Sequence, residues 1–549
     1  MTINNIEKKK LFITSMISVC FFAFLAHGYR FFNNMYSGDS LFTVYQNDSA
    51  WQIALGRIFQ PIYIMFRGSW CNPWLISFLA IIFTGIAAYL MCSLLNINNP
   101  VFVILISGLF ECNIAITCSN ATYLPWVDIY ALALLLAILG VYLIEKGISS
   151  LISNQTKRVN GILLCFAGAI SITFSLGLYQ AYVCEALSVA IILFIIKLTS
   201  CSSDKNSDKN YSLKNIFISM FTYLVSLLTA ACMYYIAWKI FQKAFNIWTS
   251  DSYNGLASVG DYTGISIGAL LTRTYRLVFD YFWNPQVFAS LVFHEKSLSI
   301  CWIYLLRLVF LASALFIVIL IVRLNIKNKS SLSAKILQAL LLIVFPAAMN
   351  FVCIISKGMV HTLMVFAFIN VYILLIALVS NTFSISGPTS NSNKKCTCSY
   401  TIIASAMLIA VTLWNNIAFS NQVYLKKAFQ DNAANALLNR IVYEIEHLES
   451  YEAGITPVAF YGLFEMSPYI NENKDMEDII PFGMGSSPLL YEDTDYAYLT
   501  YILNVNMNLT RINASADPDI AEYIANMPVY PAAGSIELID GTVIVKISE

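Results

Sequence analysis

The stretch "YSGDSLFTVYQNDSAWQIALGRIFQP", Tyr36 to Pro61, sets Asp39, Asp48 and Arg57 in the gap between two long apolar runs. Other ionisable residues sit at similar borders: Asp128 in "YLPWVDIY", Arg273 and Arg276 in a long polar gap, Arg307 a turn or two into an apolar run, and Lys357 with His361 around a short gap. A carboxylate among several cations at a lipid interface suits a reaction on a phosphorylated lipid. The cations hold the phosphate and stabilise the leaving group, while the carboxylate takes the proton of an acceptor hydroxyl. Each residue also has a plainer role open to it. Arg307 is placed to snorkel toward headgroups, Arg273 and Arg276 to form one solvated helix face, Asp128 and Asp48 to cap helices, and Asp39 to occupy the Gly-Asp-Ser turn.

The elements that must position these residues are membrane helices. The chain has 549 residues, 58% of them hydrophobic and 12% charged, with a mean hydropathy of +0.67; soluble domains carry roughly 25% charged residues. Basic and acidic residues number 32 each, so net charge offers no steering toward nucleic acid. Apolar stretches of about 20 residues, the length a bilayer requires, fall at 11–29, 74–95, 101–118, 126–144, 161–178, 179–197, 216–238, 301–322, 337–356, 360–380 and 399–419, eleven in all. The pair flanking "SLGLYQAY" reads alternatively as one span and a re-entrant piece.

With the N-terminus in the cytoplasm, the cytoplasmic gaps collect Lys8, Lys9, Lys10, Lys146, Lys157, Arg158, Lys197, Lys205, Lys209, Lys214, Arg323, Lys327, Lys329, Lys335, Lys394 and Lys395. Outside, the gap after the first span has Arg30, Arg57 and Arg67, the short gap at 357–359 has Lys357, and the gaps near 119–125 and 178 have none, so the bias favours N-in and C-out. The opening "EKKKLFITSMISVCFFAFLAHGYR" resembles a signal peptide but lacks a small-x-small cleavage site, and is read as a retained first span. Residues 1–419 then form a polytopic domain with outer loops at 30–72 and 239–300.

Residues 420–549 read as a small extracytoplasmic α/β domain. "NQVYLKKAFQDNAANALLNRIVYEIEHLES" has apolar residues at helical spacing, "TPVAFYGLF" reads as a buried strand, "DPDIAEYIANMP" as a short helix and "GSIELIDGTVIVKI" as a hairpin turning at Asp540-Gly541. "SISGPTSNSNKK" is a cytoplasmic linker. The 13 cysteines and four histidines make no metal-ligand spacing, and "CTC" at Cys396 and Cys398 has no partner pair. Phosphate-loop, dinucleotide and serine-hydrolase motifs are missing, so no cofactor is expected.

The order "YSGDSLF…ALGRIFQPIYIMFRG…PWLISFLAIIFTGIAAYL", "NATYLPWVDIYALALLLAILGVYL", "FSLGLYQAYV" and the closing "MPVYPAAGSIELIDGTVIVKIS" resembles the bacterial glucosyltransferase II family, the GtrII-like serotype-converting O-antigen glucosyltransferases. The likeness covers nearly the whole chain through loose motifs. It implies a GT-C-like polytopic enzyme of the bacterial cytoplasmic (inner) membrane. Such an enzyme draws glucose from undecaprenyl phosphate glucose on the outer leaflet and passes it to a surface polysaccharide, with a lipid-sugar flippase and a synthase as partners. The family's acidic loop position falls on Asp39, its Gly-Arg on Gly56 and Arg57, and its later blocks on Asp128, Tyr179 and Gln180. One Asp stands in "SGDS" where many lipid-phosphate-sugar enzymes have an Asp-Asp pair. That departure leaves Asp48 a rival base and gives no support for a metal.

The roles expected are therefore Asp39 or Asp48 as base, Arg57, Arg273, Arg276, Arg307 and Lys357 on the donor phosphate, and Asp128, Tyr179 and Gln180 on the substrate. A flippase or other transporter of lipid-linked sugars would also use such cations, but would place its key charges at the midplane or on both leaflets. The deep charges here are few: Glu111, Asp128, Glu185 and Arg307. A structural membrane subunit with an outer interaction domain is the third reading; it would make no outer carboxylate individually necessary.

Overall fold

Long apolar runs with few breakers become helices because a bilayer leaves backbone polar groups no other partners. The computed structural model describes residues 5–37, 40–41, 49–69, 71–153, 158–201, 212–247, 266–284, 298–384, 392–464, 490, 494–511 and 518–549. Among them ten helical segments are long and apolar enough to cross a membrane: Asn5–Phe32, Pro73–Leu94, Pro100–Thr122, Leu124–Ile152, Arg158–Leu178, Gln180–Thr199, Leu213–Phe245, Trp302–Lys327, Leu332–Met349 and Tyr400–Glu446. The chain is a polytopic, mainly helical membrane protein.

The tenth expected span, 360–380, is instead the shorter apolar helix Phe366–Thr382. Its α-helical part starts only at Asn370, because Thr362–Met364 and Phe366–Ile369 wind as tight 3-10 turns. The pair flanking "SLGLYQAY" forms two spans, divided at Tyr179, whose backbone is extended (φ −159°, ψ 111°).

The chain divides into two compact units. The first comprises Met1–Phe32, Asp48–Asn120 and Trp126–Asn421. Within it, Val127–Ser153 and Arg158–Leu178 approach at reciprocal glycines. A Cβ on Gly140 would stand 2.9 Å from the Gly168 carbonyl oxygen, and one on Gly161 would stand 3.0 Å from that of Gly147. In lipid, where apolar burial does not drive association, such close backbone approach is what holds helices together.

The second unit comprises Asn33–Asn47, Ala121–Pro125 and Gln422–Glu549. Its sheet contains β1 (Pro457–Tyr461), β2 (Asn508–Leu509), β3 (Ile536–Ile539) and β4 (Thr542–Lys546) in the order β2-β1-β4-β3. β1 runs parallel to both neighbours, and β3 and β4 form an antiparallel hairpin. The hairpin turns where Asp540 and Gly541 both take positive φ (46° and 77°), as a two-residue turn matched to strand twist requires.

Alternation along β4 divides the core of this unit. Val543 and Val545 join Val458 and Phe460 against Leu437, Leu438, Ile441 and Ile445, while Ile544 joins Ile524 and Met527 on the other face. Lys546 is buried and donates Nζ to the carbonyls of Ala525 and Met527, at the end of helix Pro518–Asn526. The helix that lends Leu437 to Ile445 runs unbroken over Ser392–Glu446.

Candidate functional site

The "ALGRIFQP" segment folds as an elbow between helices Ser49–Ala54 and Gln60–Arg67. Gly56 makes the bend at φ 75°, a region side chains strain to enter. Three side chains from later helices grip the elbow's backbone. Gln180 Nε2 donates to the Leu55 carbonyl (2.7 Å) and to Tyr234 Oη (2.9 Å). Tyr234 Oη donates to the Gly56 carbonyl (3.0 Å), and Trp238 Nε1 to that of Ile53 (2.9 Å). The far end is tied by Gln60 Nε2 to the Leu178 carbonyl (2.6 Å) and by the Phe59 amide to that of Gly177 (3.0 Å). Ile53, Ile58 and Trp238 fill the space beneath.

This clamp presents Arg57. Its guanidinium lies over the Tyr179 ring, 5.3 Å from the centroid, and Tyr179 in turn packs on Tyr130 at 4.5 Å and Tyr182 at 5.8 Å. Backing of this kind orients a planar guanidinium. The Arg57 charge reaches His361, whose pKa is lowered first by partial burial of the ring and second by that charge. In the same short segment Lys357 and Gly358 turn through positive φ (54° and 97°). Gly358 lies against Arg273, where a Cβ would stand 3.1 Å from Arg273 Cδ. Arg57 thus acts on His361, and Arg273 packs against the Lys357–Gly358 turn of the same segment, so three distant parts of the chain meet there.

The remaining site candidates are placed elsewhere. Asp128 is fully buried and receives Arg67 Nη1 (2.7 Å), Tyr63 Oη (2.9 Å) and the Ile129 amide (3.0 Å). The Arg67 side chain is 3% exposed, so this is a buried ion pair joining helix Gln60–Arg67 to the start of Val127–Ser153. Arg276 is exposed and pairs with Asp280 one turn along its own helix (3.4 Å). Arg307 donates Nε to the Trp283 carbonyl (2.7 Å) and Nη2 to Asn284 Oδ1 (3.1 Å), which satisfies the carboxyl end of helix Ile267–Trp283. Asp39 and Asp48 lie outside the described residues. Among the described residues no three His, Cys, Asp or Glu side chains gather as a transition-metal site requires.

Sequence reasoning missed the residues that do the holding: Tyr63 and Arg67 on Asp128, and Tyr234 and Trp238 on the elbow. For the first pair no local signal existed, since Arg67 and Asp128 are far apart in sequence. For the second, two aromatics four apart near the end of a span were a usable hint.

The sequence model of the glucosyl transferase GtrII family matches residues 28–372. The chain belongs to this family. It is accordingly a membrane glycosyltransferase, and the matched span contains the elbow, its clamp and the site candidates Arg57, Arg273, Arg276, Arg307 and Lys357. Residues 373–549, including the closing "MPVYPAAGSIELIDGTVIVKIS", lie beyond the match. Neither a curated protein nor a solved structure matches the chain.

Proposed function

We propose that this GtrII-family chain transfers glucose from undecaprenyl phosphate glucose to a surface polysaccharide such as O-antigen, on the outer face of the bacterial cytoplasmic membrane. In this reading the fold is of the GT-C type. The N-terminus is cytoplasmic, residues 1–419 form the catalytic membrane domain, and residues 420–549 stand outside and contact the acceptor glycan. The observation that carries the reading is the meeting of Arg57, clamped and backed by Tyr179, with the segment of Lys357 to His361 against which Arg273 packs. A lipid phosphate needs such a gathering of cations, and family membership supplies the sugar chemistry.

The reaction is a direct displacement. Asp39 takes the proton of the acceptor hydroxyl as its oxygen bonds to the sugar's anomeric carbon, on the face opposite the phosphate. The bond from that carbon to the phosphate oxygen breaks, and undecaprenyl phosphate leaves with the electron pair, its charge held by Arg57, Arg273 and Lys357. Configuration inverts. The lipid carries the activation, so no nucleotide or redox cofactor takes part.

The test is incubation of the purified protein with polyprenyl phosphate glucose and isolated surface glycan, reading added hexose by mass. Asp39→Asn should retain donor binding and lose turnover by roughly 10²- to 10⁴-fold, whereas Asp48→Asn should cost little. Movement of lipid-linked sugar without transfer would replace the enzyme by a carrier. The reverse result in the two variants would move the base to Asp48.

A further inference from the structure

The span Pro100–Thr122 is not one continuous helix. It breaks after Glu111 and resumes at Ile114, so Glu111 ends a half-helix inside the membrane domain. A small cavity opens there, lined by Phe31, Ser77, Thr84, Glu111, Ile116 and Asn120, with room for about one water-sized guest. Three buried oxygens at this cavity have no hydrogen-bond partner among the described residues: Glu111 Oε2, Asn120 Oδ1 and Ser77 Oγ. Their residues are 4%, 2% and 2% exposed. The neighbouring polar groups are used on backbone: Asn120 Nδ2 donates to the Ile116 carbonyl, Arg30 Nε to that of Asn120, and a His27 ring nitrogen meets that of Glu111.

We propose that this cavity binds one monovalent cation, of the size of sodium, between Glu111, Asn120 and Ser77. The donor set is all oxygen, which suits a hard cation. Two of the three orphaned atoms are pure acceptors, so they call for positive charge or donors. The carboxyl end of the half-helix adds its partial negative charge at the same point, an arrangement suited to holding an ion at a break in a membrane helix. A water molecule would bond to these oxygens but bring no charge to a buried carboxylate, which is costly. One carboxylate balances one monovalent ion. The site is independent of the donor-phosphate cations.

The experiment uses the full chain in lipid nanodiscs, comparing sodium chloride with choline chloride at equal ionic strength. Sodium should raise the Tm saturably, by about 3–5 °C at a hundredfold excess over its dissociation constant, and radioactive sodium should bind at one ion per chain. Glu111→Gln should abolish both effects, and Ser77→Ala should weaken both; the second variant serves if the first does not fold. A Tm and a sodium count that ignore sodium in the wild type would overturn the proposal in favour of a water or a proton on Glu111. Retention of full sodium binding by Glu111→Gln would equally overturn it.

Discussion

Arg57 and Arg307 both lie over aromatic rings, at 5.3 Å and 5.0 Å from the centroids of Tyr179 and Trp283, but their hydrogen-bonding forks face different tasks. Arg307 spends its fork on the end of its neighbouring helix. Arg57→Lys should therefore raise the donor KM about tenfold with little change in stability, because lysine keeps the charge and loses the planar fork. Arg307→Lys should leave donor KM unchanged and cost about 1–3 kcal/mol of stability, the worth of a hydrogen bond to a charged group. Donor-titrated transfer assays beside thermal unfolding separate the two, and an unchanged KM in Arg57→Lys would remove it from the phosphate.

Asp495 carries a separate prediction at this scale. It is 2% exposed, and burial pushes its carboxyl up from 3.8 to about 7. The folded state then holds the proton more tightly than the unfolded chain does. That stabilisation is fully present below about pH 4 and is lost as pH rises through about 7. Unfolding scans of the full chain should show Tm falling from pH 5 to pH 8, and Asp495→Asn should flatten the slope. Parallel slopes for the two proteins would show that the carboxyl does not titrate in this range.

The elbow depends on its bend, and the bend depends on Gly56. A Cβ there would collide with Tyr234 Oη and stand 2.8 Å from Gln180 Nε2, the two donors that hold the turn, and φ 75° is unfavourable for alanine in any case. Gly56→Ala should thus cost about 1–3 kcal/mol and raise donor KM by displacing Arg57. Adding Tyr234→Phe removes the obstructing hydroxyl and should recover part of the stability. No recovery would mean that the backbone conformation alone accounts for the loss. The Arg67–Asp128 pair fixes the opposite end of the same element, so the two short helices are tied at both ends to longer ones.

For the whole molecule, sidedness turns on one short element. Phe366–Thr382 spans about 25 Å as a helix, somewhat less than the roughly 30 Å hydrocarbon core. If it crosses with the ten longer segments, parity is odd and the C-terminal unit is opposite the N-terminus; if not, both lie on one side. A phosphatase reporter fused after Ser420 should be active and one near Asn391 silent. Silence at both positions would withdraw the extracytoplasmic placement of residues 420–549 and the acceptor role proposed for them.

What the sequence alone determined was carried by local pattern. Apolar length gave the membrane class and most spans, Asp540-Gly541 gave the hairpin, Asp-Pro at residues 517–518 gave the short helix that follows, and ordered motifs gave the family. Another local signal went unread: Ser392–Glu446 contains neither Gly nor Pro, which is why the expected span at 399–419 and the amphipathic helix after it are one helix. Only the tertiary structure sorted the charges. Arg67 meets Asp128, Arg307 ends a helix, Arg276 pairs with Asp280 one turn along its own helix, and Gln180, Tyr234 and Trp238 converge on the elbow. Helical periodicity says which face of a helix a side chain occupies but not which residue, often a hundred or more positions away, packing brings against it.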